Sequence, residues 1–257
     1  KKERQKLTEL FKNPVSSQAD ILKLLPKMKN FLKNSKVLMA KKIVLENILK
    51  AHYFLFTNYP ENIDKKKQSE LIKNFLNPFS EDLIYFIEGS FLDFLNNLLQ
   101  FKKGREFLDS LQKNFSAWAK LPEKPRLFIP FLAQGLAGNK NYLKKNQKNI
   151  NTQKLLEYAT QSSFLLKLYI KAFFEIGQKE ETLKAYARLQ LRFPKASPSL
   201  VPKIPEAWLN SLEIYMNKEL HLYTQEIIKE IHPMQEKIPP VTGILINKKS
   251  IAKKIPD

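Results

Sequence analysis

Across residues 151–194, apolar side chains recur at steps of three and four, and this spacing constrains the fold more than any other feature of the chain. Leu155, Tyr158, Ala159, Ser162, Leu166, Tyr169, Phe173 and Ile176 keep to one face of a 3.6-residue helix. Asn151 or Thr152 offers a short polar cap for the first orphan N–H groups. Gly177 stops the helix, because it reaches the left-handed conformation without a Cβ penalty. A second helix follows. Glu180 and Glu181 lie in its first turn, where negative charge suits the dipole, and Leu183, Tyr186, Ala187 and Leu191 form its apolar face. Arg188 and Arg192 lie near its end, and Pro194 closes it. The stretch is expected to be a helical hairpin.

The same alternation runs through the first half. From Ser17, the stripe Leu22, Leu25, Met28 and Leu32 is interrupted by Pro26, which removes a hydrogen bond and crowds the turn before it. A kink or two short helices are expected there. Residues 35–58 read as a longer helix with Leu38, Leu45, Ile48, His52, Leu55 and Tyr59 on one face and Pro60 at its end. His52 reads as a core-edge histidine with one hydrogen bond, since no second histidine or carboxylate cluster is near in sequence. Lys65, Lys66 and Lys67 form a solvated run before a short helix with Leu71, Ile72, Phe75 and Leu76. Ser80 is read as the cap of an amphipathic helix with Ile84, Ile87, Phe91, Phe94, Leu98 and Phe101, ended by Gly104. Leu108, Leu111, Phe115 and Trp118 mark its neighbour, which a short turn should bring back antiparallel. Pro122, Pro125 and Pro130 precede a short apolar piece with Phe131, Leu132 and Leu136, closed by Gly138. Residues 139–150, mostly Asn and Lys, are expected to be a flexible connection.

Beyond the hairpin, Pro194, Pro198, Pro202 and Pro205 suggest an extended spacer. Glu206 then opens a long helix that keeps Leu209, Leu212, Met216, Leu220, Tyr223, Ile227 and Ile231 on one face as far as His232-Pro233. The last stretch holds Pro239-Pro240, an apolar run at residues 241–246, and Lys248, Lys249, Lys253 and Lys254. It reads as an extended, basic closing segment.

Chemistry is conspicuous by its absence from the motifs. Six scattered glycines assemble no phosphate loop and no dinucleotide fingerprint. The chain has no cysteine, which excludes disulfides, thiol nucleophiles and cysteine metal sites. His52, His221 and His232 show no metal-ligand spacing, and no Gly-x-Ser-x-Gly elbow occurs. The acidic pairs Glu81-Asp82 and Glu180-Glu181 sit in helix first turns, where the dipole accounts for them. No catalytic residue, cofactor site or metal ligand is read from the chain, and a non-enzyme is expected.

The net charge of +19 invites an anionic partner. Only five of the 44 basic residues are arginine, however, and base-edge or bidentate phosphate recognition favours arginine. Lysine excess beside abundant Asn, Ile and Phe is what AT-rich coding would produce. A solvated lysine surface is therefore preferred, with nucleic acid or an anionic membrane surface as the alternative partner. Residue 1 is Lys rather than Met, and Lys1-Lys2-Glu3-Arg4-Gln5-Lys6 has the character of a basic flank after a membrane segment. A tether through a removed N-terminal segment is expected, with a periplasmic or membrane-associated location, or alternatively a cytoplasmic one. No stretch here spans a bilayer, since the most apolar, residues 83–101, contains Glu88, Asp93, Asn96 and Asn97.

Residues 162–194 resemble one degenerate tetratricopeptide repeat, a family with about 34 residues per unit, a glycine between the helices and a proline at the end. Gly177 and Pro194 have that spacing, and Phe173 and Tyr186 match the two large aromatic positions. Ile170, Thr182 and Leu189 stand where smaller residues are usual, which bears on how closely the helices approach. An ordinary αα-hairpin has the same pattern. A fold at Asn217-Lys218 would make residues 206–232 a second such repeat, with Trp208 and Tyr215 at the aromatic positions. The fold expected is all-α, built of stacked antiparallel helical hairpins. It comprises an N-terminal helical region (1–138), a tetratricopeptide-like region (151–232) and an extended basic tail (233–257). The resemblance implies a concave helical face that receives a partner peptide or helix. The function expected is a scaffold or adaptor binding another protein, through Tyr169, Lys171, Phe174, Lys184 and Arg188 as candidates. A basic groove there would suit an acidic segment.

Overall fold

The computed structural model describes residues 2–11, 17–58, 65–85 and 89–235, and among them it is all-α, without a strand. The α-helices are α1 (Lys2–Leu10), α2 (Gln18–Asn34), α3 (Leu38–Asn58), α4 (Lys65–Phe75), α5 (Ser80–Tyr85), α6 (Ser90–Leu98) and α7 (Lys102–Asn114). They continue with α8 (Ile129–Leu136), α9 (Lys140–Asn146), α10 (Thr152–Ala159), α11 (Ser163–Glu175), α12 (Lys179–Arg192), α13 (Glu206–Leu209) and α14 (Leu212–Gln235). One hydrophobic core runs from Ile21 in α2 to Ile204 just before α13.

In the first half, the periodic stripes are largely the buried ones, with corrections at their ends. Ser17 and Asp20 close a reciprocal capping box on α2. That helix runs unbroken through Pro26 rather than splitting. Pro26 lies exposed, on the side where water satisfies the carbonyl that its missing N–H leaves free. Leu22 and Leu38, expected on the stripes, are exposed, and Ile21 takes the inward position instead. Lys65 to Lys67 belong to α4 rather than to a loop.

The helix expected from Ser80 to Gly104 is not continuous. Gly89, at φ +75°, is the N-cap of a separate α6. Gly104 does not end a helix but lies buried in the first turn of α7, where a Cβ would fall 2.2 Å from the Leu98 carbonyl oxygen. It lets α7 close tightly onto the end of α6. Phe101, counted on the apolar face, is exposed at that corner.

The prolines before α8 explain its entry. Pro125 has no N–H for the Leu121 carbonyl, and the Arg126 guanidinium donates to that carbonyl instead at 3.1 Å. Pro130 likewise leaves the Arg126 carbonyl without its α-helical donor. The chain widens into a π-turn at Lys124–Phe128, with the Ile129 N–H bonded to the Lys124 carbonyl. The apolar piece that follows is the centre of the molecule. Ile129, Phe131 and Leu132 are fully buried, and Gly135 lies so close to α11 that a Cβ would fall 2.4 Å from Ala172 Cβ. Close helix approach is therefore made at Gly135 and Ala172, while Ile170, Thr182 and Leu189 pack within the core. Residues 139–150 are not a loose connection, since α9 and a 3-10 turn occupy them and Leu143 and Ile150 are buried.

Candidate interaction site

The hairpin read from the sequence is α11 and α12, joined at Gly177 with φ +75°. The helix preceding Gly177 is two helices rather than one. Asn151 caps α10 by accepting from the Lys154 N–H, and Ser162 caps α11 by accepting from the Leu165 N–H. Ser162 is thus a cap and not a member of the apolar face, because its side chain competes for the backbone donors that a continuous helix would leave occupied. Leu165 to Ile170, Ala172 and Phe173 bury α11 between α8, α10 and α12. Phe173 packs on Phe131 and Tyr169, with ring centroids at 5.5 and 4.4 Å.

Residues 193–205 have no regular structure, but they are a strap on the body rather than a free spacer, since Ile204 is buried in the core. A short α13 follows, then a break at Asn210 and Ser211, then α14. That helix passes straight through Asn217-Lys218, so no second hairpin forms there, and it continues beyond Pro233. The expected closing segment lies, from residue 236 on, outside the described residues.

Three polar contacts register α14 against α12. The Lys179 ammonium bonds Ser211 Oγ at 2.9 Å. Arg188 grips the Glu219 carboxylate with both fork nitrogens, at 2.7 and 3.1 Å. Arg192 pairs with Glu226 and lies over the Tyr223 ring. Residue numbers rise together on both helices, so α12 and α14 run parallel. The strap supplies the return. A helix as long as α12 spans about 21 Å, which a 13-residue extended segment covers with room to spare. This pair is a crossover, unlike the α11–α12 hairpin.

The sequence-predicted residues separate into two groups. Tyr169 is fully buried, and its hydroxyl donates to Glu181 at 2.6 Å. Burial, with the Glu181 charge beside it, pushes this phenol far above its usual range, so it stays a donor. Arg188 is nearly buried, with its third contact a hydrogen bond to Thr160 Oγ1 at 3.1 Å. Neither side chain is presented at an open surface in this arrangement. Lys171, Phe174 and Lys184 are half-buried. Phe174 meets Trp208 of α13 edge-on at 5.6 Å. Lys184 lies 2.8 Å from Glu180 and 3.3 Å from Glu181. Burial pulls its pKa down, but the hydrogen bond to Glu180 and the two carboxylate charges outweigh this and raise it. Sequence reasoning missed Thr160, Glu219 and Glu226 as partners of this surface. The available signal was charge complementarity: two arginines one turn apart on α12 and two glutamates two turns apart on α14.

A concavity of about 730 Å³ lies beside the π-turn and is lined in part by Leu92, Pro125, Phe128 and Tyr158. Lys124 and Lys154 at its rim are balanced by Glu123 and Glu157, with Glu123 and Lys154 paired at 3.7 Å. That balance selects neither an anion nor a cation. The Tyr158 hydroxyl is spent on Asn96, and burial pushes its pKa up to about 12. Among the described residues, no cluster of His, Asp or Glu is arranged to hold a metal ion, and no helix is long and apolar enough to cross a membrane. Comparison with known proteins returns no match, whether to a family model, a curated protein or a solved structure.

Proposed function

We propose that this protein is a non-catalytic scaffold or adaptor whose α11–α12 hairpin, read as tetratricopeptide-like, receives an acidic helical segment of another protein. The observation that carries the reading is the bidentate pair between Arg188 and Glu219, a nearly buried arginine fork holding the carboxylate of a helix laid along α12. A guanidinium fork matches a carboxylate in geometry as well as in charge, so it orients what it binds. Lys184, Arg188 and Arg192 recur every fourth residue and therefore share one side of α12, which makes that side basic along three turns.

Partner capture from native extract, at physiological salt and with nuclease present, tests this. One protein should be retained in near-equal amount, and Lys184→Glu with Arg192→Glu should lose it. Retention that survives the charge reversal would place the partner elsewhere. Retention seen only without nuclease, falling by about 0.9 log unit per phosphate contact for each tenfold rise in salt, would assign the lysine surface to nucleic acid instead.

A further inference from the structure

We infer that α14 is an internal stand-in for the partner, and that an acidic amphipathic helix with carboxylates seven residues apart docks on α12 by displacing it. This rests on the adaptor reading and names both the surface and its partner's chemistry.

The first ground is what α14 buries. Between residues 212 and 229, the single buried side chain is Glu219. Leu212, Tyr215, Met216 and Tyr223 are half-buried, while Ile214, Leu220, Leu222, Ile227 and Ile228 are exposed. A helix apolar on several sides is ordinarily enclosed, and this one is seated chiefly on α12, by an ionic seam and the partly buried Leu212 and Tyr215. Few buried apolar contacts place an element at the low-stability end of local opening.

The second ground is exchange. A buried ion pair gives little net stability, because desolvation of both groups offsets their attraction. A foreign helix with carboxylates at the positions of Glu219 and Glu226 remakes both arginine contacts one for one. The balance is then decided by apolar contact, where α14 contributes only half-buried side chains. A partner that buries apolar side chains against α12 gains what α14 leaves unused.

The third ground is connectivity. The strap of residues 193–205 carries four prolines and no regular structure, and it returns the chain to the start of α12 before α14 begins. Ile204 holds this strap to the body, so α14 hangs from the short connection past it, lies on the surface as a ligand would, and can leave without unwinding the α11–α12 hairpin.

The test uses the full chain and a labelled peptide of residues 206–235, which is the stand-in itself. Wild-type protein keeps its own α14 seated and should bind the peptide weakly. The variant Glu219→Gln with Glu226→Gln loosens the resident helix and should bind the unaltered peptide at least about tenfold tighter, since the competent fraction sets the apparent affinity. Adding Arg188→Ala and Arg192→Ala to that variant should abolish binding. A peptide with Gln at both glutamate positions should not bind. Circular-dichroism melts check that each variant is folded. Should the glutamate variant not fold, inserting ten Gly-Ser residues after Asn210, beyond the buried Ile204 anchor, lowers the effective concentration of α14 without touching the arginine seam, and should raise peptide affinity likewise.

Equal peptide affinity for wild-type and loosened chains would overturn the inference, as would binding indifferent to the arginines or no binding at all. Dimerisation of the loosened chain, with no seat left for peptide, would overturn it in favour of exchange between two copies. If native partners are retained by wild type and by the arginine variant alike, the adaptor reading survives and this seat does not.

Discussion

The helices α11 and α14 carry comparable apolar stripes in sequence, yet they live in opposite environments. Eight residues of α11 are buried, between α8, α10 and α12. Within residues 212–229 of α14, one glutamate is. The face drawn for α14 through Leu212, Met216, Leu220, Tyr223 and Ile227 is half-buried at best, because the helix is rotated so that Glu219 meets Arg188. Periodicity states which side of a helix is able to be buried. Whether anything stands opposite depends on how many elements converge there, and Arg188 chose the register of α14 more than its leucines did.

The sharpest way to break this contrast is to cut into α11. Phe173→Ala, in the fully buried cluster with Phe131 and Tyr169, should cost about 3–5 kcal/mol in urea unfolding. A cost near that of a surface change would mean that α11 is not enclosed in the core.

Acid should act on the core through His52. His52 is buried, its Nε2 has no hydrogen-bond partner, and burial lowers its pKa from 6.5 to about 4. His52 thus lies inside the core rather than at its edge, and the ring packs against Phe75, with centroids 6.0 Å apart. Between those two pKa values the unfolded chain binds the extra proton and the folded chain does not. Stability is therefore full above pH 6.5 and falls as the pH drops toward 4, by about 3 kcal/mol in total. His52→Leu should flatten that part of the stability profile, and an unchanged slope would remove His52 as its cause.

At the seam, Arg188→Ala tests whether α14 lifts. Breaking a buried pair in place costs about 3–5 kcal/mol. If α14 leaves instead, global stability falls by less, while amide protection is lost across α14 and kept across Ser163–Glu175. Protection lost equally in both helices would make α14 part of the core.

Smaller effects complete the contrast. Ser162→Ala removes the cap of α11 and should cost about 1 kcal/mol. Ile228→Ala, on the exposed side of α14, should stay within about 0.5 kcal/mol in the isolated protein. A larger loss there, with a dependence on protein concentration, would reveal that the side is already covered in solution.

Much of the fold was legible because its signals are local. The helix start at Ser17, the Gly177 stop, the Asn151 cap and the acidic first turn of α12 each depend on neighbours within a few residues. The errors share the opposite character. Gly104 reads as a terminator, but its role is close packing on Leu98. Ser162 reads as a face position, although it caps a new helix. Residues 139–150 look too polar to fold, yet Leu143 and Ile150 suffice to anchor them. Of the residues at this seam, Arg188 was singled out in the sequence as a partner-binding candidate, whereas Glu219 and Glu226 were not, because their pairing spans more than thirty residues.

By itself the sequence determined an all-helical chain, the hairpin at Gly177 and a surface dominated by lysine, since helix periodicity, capping and charge are properties of short stretches. Only the tertiary structure decided that α8 is the centre, that α12 and α14 run parallel, and that the basic side of α12 is filled by the chain's own acidic helix. Those outcomes depend on close approach at Gly135 and on a strap that reverses the chain. Distances between residues far apart in sequence become defined only when the core closes around them.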